Sequence, residues 1–256
     1  TDEPVNMRLA PKNELLAKAA GYLDTATSLS EKENDVIYFL KAKIASTQEP
    51  AETTIGYLSK AIELNPGNKE YYEERGTQLY NAGNYAAALN DFNKYEELSI
   101  NKRIYCSYKT DIYFRLRDWL SCFRCIDKDI KYWDCSHRDY YLYLDKIKRA
   151  YEDQSPTGIR SETTNIIHTL NTLIEEEPAA IYFLIRGYIF EQMNLSIIAI
   201  ENYTKAIELN INPSICYEYR GWAYKKMRND TAAPADFKAA LQWRPFDESL
   251  LEQTRF

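Results

Sequence analysis

The sequence predicts an all-α protein, a solenoid of antiparallel helix pairs. The chain of 256 residues contains only 8 Gly and 9 Pro, which leaves few turn residues and favours long helices. The segment KAIELN occurs at residues 60–65 and again at 205–210. Gly187 and Gly221 lie 34 residues apart in similar segments, and Gly76 has similar surroundings. Self-similarity at such a period is typical of stacked helical repeats.

A register of 34 residues divides most of the chain into six units. They are 35–68, 69–102, 103–136, 137–179, 180–213 and 214–247. Position 4 of a unit is aromatic in five of the six, position 8 is small in five, and position 24 is never polar. Position 4 carries Tyr38, Tyr72, Cys106, Tyr140, Phe183 and Tyr217, and position 8 carries Ala42, Gly76, Thr110, Leu144, Gly187 and Gly221.

The spacing of these positions predicts a helical hairpin in each unit. Positions 4, 8 and 11 share one face of a first helix, and positions 20, 24 and 27 share one face of a second. Small residues allow the two helices to approach, and aromatic side chains fill the space beside them. Neighbouring hairpins must stack, because one hairpin cannot bury both faces. In KAIELN, Ala61 and Ala206 are then packing residues, while Leu64 and Leu209 are expected to close the hairpin.

The elements follow in order along the chain. Residues 1–34 are predicted to hold an N-terminal capping helix, and NAGNY at 81–85 ends one helix and begins the next. Asp230 or Thr231 is expected to be the N-cap of the second helix in the sixth unit. Residues 248–256 form a C-terminal cap whose completeness the sequence leaves open. With no convincing linker, 1–256 is predicted to be one domain.

The fourth unit is the irregular one. The two KAIELN copies are 145 residues apart, nine more than four units of 34 require. The surplus falls in EDQSPTGIR, 152–160, a polar segment that combines Pro156 with Gly158. Such a segment is predicted to be a longer loop or an extended helix end on the surface.

The aligned columns resemble the tetratricopeptide repeat over about residues 35–247. That family places an aromatic, a small residue, an aromatic, Ala, an aromatic, Ala and Pro at the same offsets. The resemblance implies a right-handed superhelix that acts as a non-enzymatic scaffold for protein–protein interaction. Tyr95 and Asp129 stand where the family prefers Ala, and Leu144 replaces the small residue, so units three and four depart most from the pattern.

Composition excludes several classes of function. A net charge of −6 disfavours nucleic acid as the main partner, because phosphate binding depends on Lys and Arg. No stretch has the apolar length needed to span a bilayer. Five Cys without paired spacing favour free thiols in a reducing compartment, so a cytoplasmic location is expected. The chain begins at Thr1, which suggests that a preceding segment was processed or trimmed.

No enzyme or cofactor motif is evident. The chain has two His and no glycine-rich phosphate loop, so we expect neither catalysis nor a bound cofactor. Cys122, Cys125, Cys135 and His137 have a spacing that zinc could use. The alternative interpretation is that Cys122 is the small core residue of position 20. A zinc or redox module is therefore kept as a minor alternative.

The resemblance implies that first helices line a concave surface through positions 2, 5, 9 and 12. At these positions the sequence is aromatic and acidic, which favours a basic or apolar protein or peptide partner. The family's clamp for acidic chaperone tails is absent, because Phe39 and Lys43 occupy positions 5 and 9 of the first unit. The predicted partner-binding residues are Glu70, Glu73, Tyr80, Asp111, Phe114, Tyr141, Tyr188, Glu218 and Trp222.

Two alternatives stay open at this point. The chain is either a peptide-binding scaffold or an architectural module of a larger or self-associating assembly. In the second case another part of the same protein fills the concave surface. Single aromatic residues of that surface can also pack against the next repeat and contribute nothing to binding.

Overall fold

A computed structural model of the chain describes residues 12–29, 33–99, 106–132, 137–152, 158–209 and 213–254. The chain divides into two compact units, Thr1–Tyr105 and Cys106–Phe256, called here unit 1 and unit 2. The described residues form helices joined by turns, with no strand among them. That these units form one domain stays a prediction.

Unit 1 contains five helices among the residues that the structure describes. They are α1 (Lys12–Leu29), α2 (Asp35–Gln48), α3 (Ala51–Leu64), α4 (Lys69–Asn81) and α5 (Tyr85–Leu98). Helices α2 and α3 form one antiparallel hairpin and α4 and α5 another, and α3 packs against α4. Helix α1 packs against α2, in the place predicted for the N-terminal cap.

Unit 2 contains nine helices among its described residues. They are α6 (Cys106–Arg115), α7 (Trp119–Tyr132), α8 (His137–Glu152), α9 (Gly158–Glu176), α10 (Ala180–Gln192), α11 (Ser196–Glu208), α12 (Pro213–Lys226), α13 (Ala232–Leu241) and α14 (Glu248–Gln253). Each predicted repeat therefore contains two helices, and α14 packs on α13 with Leu250 buried. The predicted fold class, an all-α array of helix pairs, is confirmed.

The contacts of α9 show where the array is least regular. Helix α9 packs against α7 and α10 as well as against α8, and α7 also contacts α10. Leu144, which replaces the small residue at position 8, is buried in the core of unit 2. The residues of the predicted insertion at 153–157 lie outside the described residues.

Helix starts are fixed by side-chain caps. The Oδ1 atoms of Asn34 and Asn68 accept the amides of Val36 and Glu70 at 2.9 and 3.0 Å. Thr231, one of the two predicted residues, stands at the N-cap position of α13, but its side chain makes no capping bond, and Asn229 accepts the amide of Ala232 at 3.0 Å instead. Thr231 has a helical backbone conformation, and its hydroxyl donates to Asn229 instead.

Four described turns between a first and a second helix contain a residue with a left-handed backbone conformation. In each of them this residue is at position 15 of the repeat. These residues are Gly83, Arg117, Asn194 and Arg228, with φ between 57° and 78°. The amide of the following residue then bonds back to a carbonyl near the end of the first helix, as between Asn84 and Leu79 at 2.8 Å. This closure satisfies carbonyls that a helix end leaves without partners.

Glycine at position 8 brings the two helices of a hairpin into close contact. A Cβ atom on Gly76 would lie 2.8 Å from the ring of Phe92, one on Gly187 2.8 Å from Tyr203, and one on Gly221 2.9 Å from Phe237. All three rings are buried at position 24. The predicted pairing of a small residue with an aromatic residue is thus confirmed in three repeats.

The role predicted for the ends of the KAIELN segments was only partly right. Ala61 and Ala206 are fully buried between helices. Leu64 and Leu209 are exposed, at 37% and 45%, and do not close the hairpin. Leu64 is the last residue of α3, and Leu209 directly follows α11. At both residues the chain turns away from the neighbouring helix.

We expect Gly76→Ala to destabilise unit 1 by about 1–3 kcal/mol, because the buried Phe92 ring has no room to move away from the added methyl group. Urea unfolding would measure this change. Gly56→Ala in α3 is the matched control, since nothing lies within 4 Å of its missing Cβ. This control is expected to be neutral or to stabilise by up to about 1 kcal/mol. Equal effects of the two substitutions would contradict the contact.

Replacement of Arg228 by Gly is expected to stabilise unit 2 by about 1 kcal/mol, because a side chain with positive φ is sterically strained. Arg228→Ala is the control, since it removes the long side chain and keeps the Cβ atom. Denaturant unfolding of both variants separates the two effects. A gain of the same size in Arg228→Ala would show that backbone strain is not the cause.

Candidate functional site

The predicted partner-binding residues all lie on first helices, and they divide between the two units. Glu70, Glu73 and Tyr80 are on α4 in unit 1. The others are in unit 2: Asp111 and Phe114 on α6, Tyr141 on α8, Tyr188 on α10, and Glu218 and Trp222 on α12. The surroundings of these residues differ between unit 1 and unit 2.

In unit 1, α2 lies alongside α4. Lys43 forms an ion pair with Glu74, and the rings of Phe39 and Tyr71 are 4.9 Å apart. The Tyr71 hydroxyl donates to Asp35 at 2.8 Å, and burial together with this carboxylate raises the pKa of Tyr71 to about 12. These contacts hold the two first helices in parallel.

Glu70 and Glu73 lie on α4 beside this contact. Glu70 is exposed and Glu73 half-buried, and neither carboxylate has an ion-pair partner among the described residues. Glu70 is one turn before Glu74, as Phe39 is one turn before Lys43, so Glu70 and Phe39 lie at the same level. Val36 and Leu40, on α2, are exposed neighbours one turn apart. We call Val36, Leu40, Glu70 and Glu73 the α2–α4 face.

Asp111 and Phe114 line a cavity of about 450 Å³ in unit 2. Its other lining residues are Arg115, Arg117, Trp119, Lys146 and Arg149. The Asp111 carboxylate binds Arg115 at 2.6 Å and Lys146 at 3.0 Å. Cations thus outnumber carboxylates around the cavity, in contrast to the acidic character predicted for this surface. The reason is that positions outside 2, 5, 9 and 12 contribute the basic side chains.

Tyr141 and Glu218 are joined by an arginine from the C-terminal part of unit 2. The Tyr141 hydroxyl donates to Glu218, and the Arg244 guanidinium binds Glu218 and lies 3.1 Å from the Tyr141 hydroxyl. Arg244 also reaches Ser214 and Asp247, both at 2.9 Å. The two predicted residues are therefore brought together, and a side chain of the same chain already occupies them.

Tyr188 and Trp222 are held largely by packing. Tyr188 is only 7% exposed and lies edge-on to Tyr219 at 5.6 Å, so it belongs to the core and offers little surface to a partner. Trp222 is half-buried against Phe237 at 5.1 Å, with the Lys225 ammonium above its ring. Tyr80 lies 5.8 Å from Tyr85 across the turn of its hairpin.

An arginine at position 7, immediately before the glycine of position 8, was not predicted as a contact residue. Arg75 binds both carboxylate oxygens of Asp91 and the Ser59 hydroxyl in the preceding hairpin. Arg220 binds Asp236 and Thr204 in the same manner. The signal in the sequence was an Arg-Gly pair with Asp or Asn 16 residues after the arginine, as also in Arg186 and Asn202. These arginines join neighbouring repeats and are too engaged to bind a partner.

The cysteine cluster is described only in part. Cys122 is buried at position 20, and burial raises the pKa of its thiol. Cys135 lies outside the described residues, as does the side chain of His137. Within the part of the chain that the structure describes, no group of three potential ligands could hold a metal ion. The packing of Cys122 fits its interpretation as a small core residue.

Comparison with known proteins agrees with the repeat pattern. No family model matches the chain. A TPR repeat-containing protein of Methanocaldococcus jannaschii is 21% identical over 187 residues, which cover 70% of this chain and 32% of that relative. The resemblance to the tetratricopeptide-repeat family is confirmed. The chain spans about a third of the length of this tetratricopeptide-repeat relative.

Two solved tetratricopeptide-repeat structures align with this chain at low sequence identity. One, from Parabacteroides merdae, is 18% identical, with coverage of 94% of this chain and 91% of that chain and a TM-score of 0.48. Another, from Cytophaga hutchinsonii, is 14% identical, with coverage of 96% of both chains and a TM-score of 0.46. Both TM-scores are below 0.5, so the fold assignment depends on the repeat contacts described above.

Stacked helical repeats create extended concave surfaces, which repeat proteins use for binding. None of the helices that the structure describes has the length and hydropathy to cross a bilayer.

Because unit 2 contains buried tyrosines, we expect its free energy of unfolding to fall at alkaline pH. Burial raises the pKa of Tyr182 to about 12, and burial also raises the pKa of Tyr219. An unfolded chain releases these protons near pH 10 while the folded chain keeps them. The free energy of unfolding is thus at its full value below about pH 10 and falls above it, by about 1.4 kcal/mol per pH unit for each such tyrosine.

Denaturant unfolding between pH 8 and 12 would measure this slope; these limits bracket the tyrosine pKa of about 10. Tyr219→Phe is expected to make the decline shallower, whereas Tyr22→Phe, at a residue that is 76% exposed, should leave it unchanged. An identical slope in the wild type and in Tyr219→Phe would show that the folded state does not retain this proton.

Proposed function

We propose that the chain is a non-enzymatic scaffold that binds a polypeptide segment carrying basic and apolar side chains, and that the α2–α4 face of unit 1 is its main contact. The observation that carries this proposal is the placement of Glu70 and Glu73. Both carboxylates lack an ion-pair partner among the described residues, and they lie beside the exposed Val36 and Leu40. A segment with Lys or Arg next to an apolar residue is complementary to such a surface.

The contact between Glu218 and Arg244 supports this partner chemistry. Glu218 is at position 5 of its repeat, and it binds the guanidinium of Arg244. Glu73 is at position 5 of the second repeat, on the equivalent face of its first helix. An arginine of a partner would therefore find at Glu73 the kind of contact that unit 2 makes within itself.

The remaining predicted residues are assigned subsidiary parts in this proposal. Tyr80 and Trp222 offer partly exposed ring surface to apolar side chains of a partner. Asp111 and Phe114 lie in the cationic cavity of unit 2, which favours an acidic group there instead of a basic one. Tyr141 and Glu218 take part only if Arg244 is displaced, and the buried Tyr188 has no direct part.

A second candidate is an architectural module whose concave positions are filled by its own chain. Arg244, which occupies Tyr141 and Glu218, is the observation that favours it for unit 2. Light scattering over a range of concentrations tests the self-associating form of this candidate. A mass that stays monomeric at all concentrations would count against it.

The peptide-binding proposal can be tested with a phage-displayed library of random peptides selected on the purified chain. We expect the selected peptides to combine Lys or Arg with apolar residues. Their affinity, measured by fluorescence anisotropy, should fall about tenfold or more in the double variant Glu70→Gln, Glu73→Gln, because charge-assisted contacts contribute about 1.5–3 kcal/mol each.

The matched control is the double variant Glu63→Gln, Glu97→Gln. It changes the net charge of unit 1 by the same amount, at exposed residues on the second helices α3 and α5. Peptide affinity should be unchanged in this control. Equal losses in the two double variants would show that only the overall charge matters and would contradict the α2–α4 face as the site.

A further inference from the structure

The turns that join first and second helices in unit 2 carry exposed apolar side chains. Leu116 and Met227 are 51% and 46% exposed, each at position 14 of its repeat. The turn between α10 and α11 carries Met193 and Leu195, and Ile197, in the first turn of α11, is 63% exposed. Between 40% and 63% of each of these side chains is exposed, so burial within the hairpin does not account for them.

These turns lie along one edge of unit 2. Successive hairpins stack side by side, so their turns come to the same end of the stack. Direct contacts agree: the Lys226 ammonium lies 3.5 Å from the carbonyl oxygen of Glu191, which joins the ends of α12 and α10. At the other end of the row, Arg117 binds Glu162 at the start of α9, at 3.0 Å.

Basic side chains flank the apolar ones in two of the three turns, whereas residues 191–197 of the third contain no Lys or Arg. Arg115 and Arg117 flank Leu116, and Lys226 and Arg228 flank Met227. Asp118 and Asp230 are the acidic residues within these two turns. These four cations lie in or beside two turns, although the whole chain has a net charge of −6. We call the three turns with these residues the turn edge.

The turn between α4 and α5 in unit 1 shows that the fold does not require this composition. The corresponding segment, Asn81 to Asn84, has an Ala at position 14, a Gly at position 15, and no cation. It closes with the same hydrogen bonds as the turns of unit 2. The apolar and basic residues of the turn edge are therefore additions that the turn geometry does not need.

We propose that the turn edge of unit 2 docks on an anionic phospholipid surface. Single apolar side chains on projecting turns can enter the boundary between headgroups and acyl chains, and flanking Lys and Arg attract anionic headgroups. A protein partner would favour a concave or flat apolar patch that excludes water, whereas these exposed apolar residues are divided among three turns. This inference goes beyond the peptide-binding proposal and does not depend on it.

Co-sedimentation of the full chain with vesicles tests the inference. We expect binding to vesicles of equal parts phosphatidylglycerol and phosphatidylcholine, weak binding to phosphatidylcholine alone, and a decline as salt is raised. The double variant Leu195→Ser, Ile197→Ser should lower the partition coefficient about tenfold or more, because each aliphatic side chain loses its transfer from water.

The control variant is Leu209→Ser, Phe246→Ser. It also removes two exposed apolar side chains from unit 2, at residues 45% and 91% exposed that lie outside the turn edge. Its vesicle binding should equal that of the wild type. A second measurement uses Ile197→Trp, whose fluorescence should be quenched by brominated acyl chains if the turn enters the bilayer.

Three results would overturn the inference. They are no sedimentation with anionic vesicles, equal losses in the two double variants, and no quenching of Ile197→Trp by brominated lipid. Circular dichroism of each variant, unchanged from the wild type, confirms that a loss of binding reflects the surface and not the fold.

Discussion

The close approach of a glycine to a buried aromatic ring is the contact on which the repeats depend. At Gly76, Gly187 and Gly221 the missing Cβ lets the first helix lie directly on the ring of the second. The arginine before each glycine then points to the side chain at position 23 and to the preceding hairpin, as Arg75 and Arg220 do. The glycine thus sets the distance between the two helices of a hairpin, and the arginine before it attaches that hairpin to the preceding one.

Because the glycine and the arginine make these contacts, the residues on the other sides of each hairpin are free to vary. The core uses the small and aromatic positions that face the partner helix, so exposed first-helix residues and the turn residues contribute little to it. In unit 1 the free positions carry the carboxylates Glu70 and Glu73. In unit 2 they carry cations around a cavity and apolar side chains on the turns. One fold therefore presents surfaces of different chemistry.

The sequence predicted the elements that depend on local periodicity, and it failed where a distant side chain intervenes. Helix pairs, the small and aromatic columns and the irregular fourth repeat follow from spacing alone. The link from Tyr141 to Arg244 spans 103 residues, and no local pattern could indicate it. The cap at Asn229 was missed because Asp230 and Thr231 are equally common caps, and only the backbone conformation distinguishes them.

By itself the sequence determined the class of fold and the pairing of small with aromatic residues within a repeat, and it indicated the first-helix positions where a partner is expected. These follow from 34-residue spacing, because helical faces are set by residues three and four apart. Only the tertiary structure decided which of those residues are available. It buried Tyr188, engaged Glu218 with Arg244 and left Glu70 and Glu73 without ion-pair partners among the described residues, because availability depends on side chains that other helices bring close.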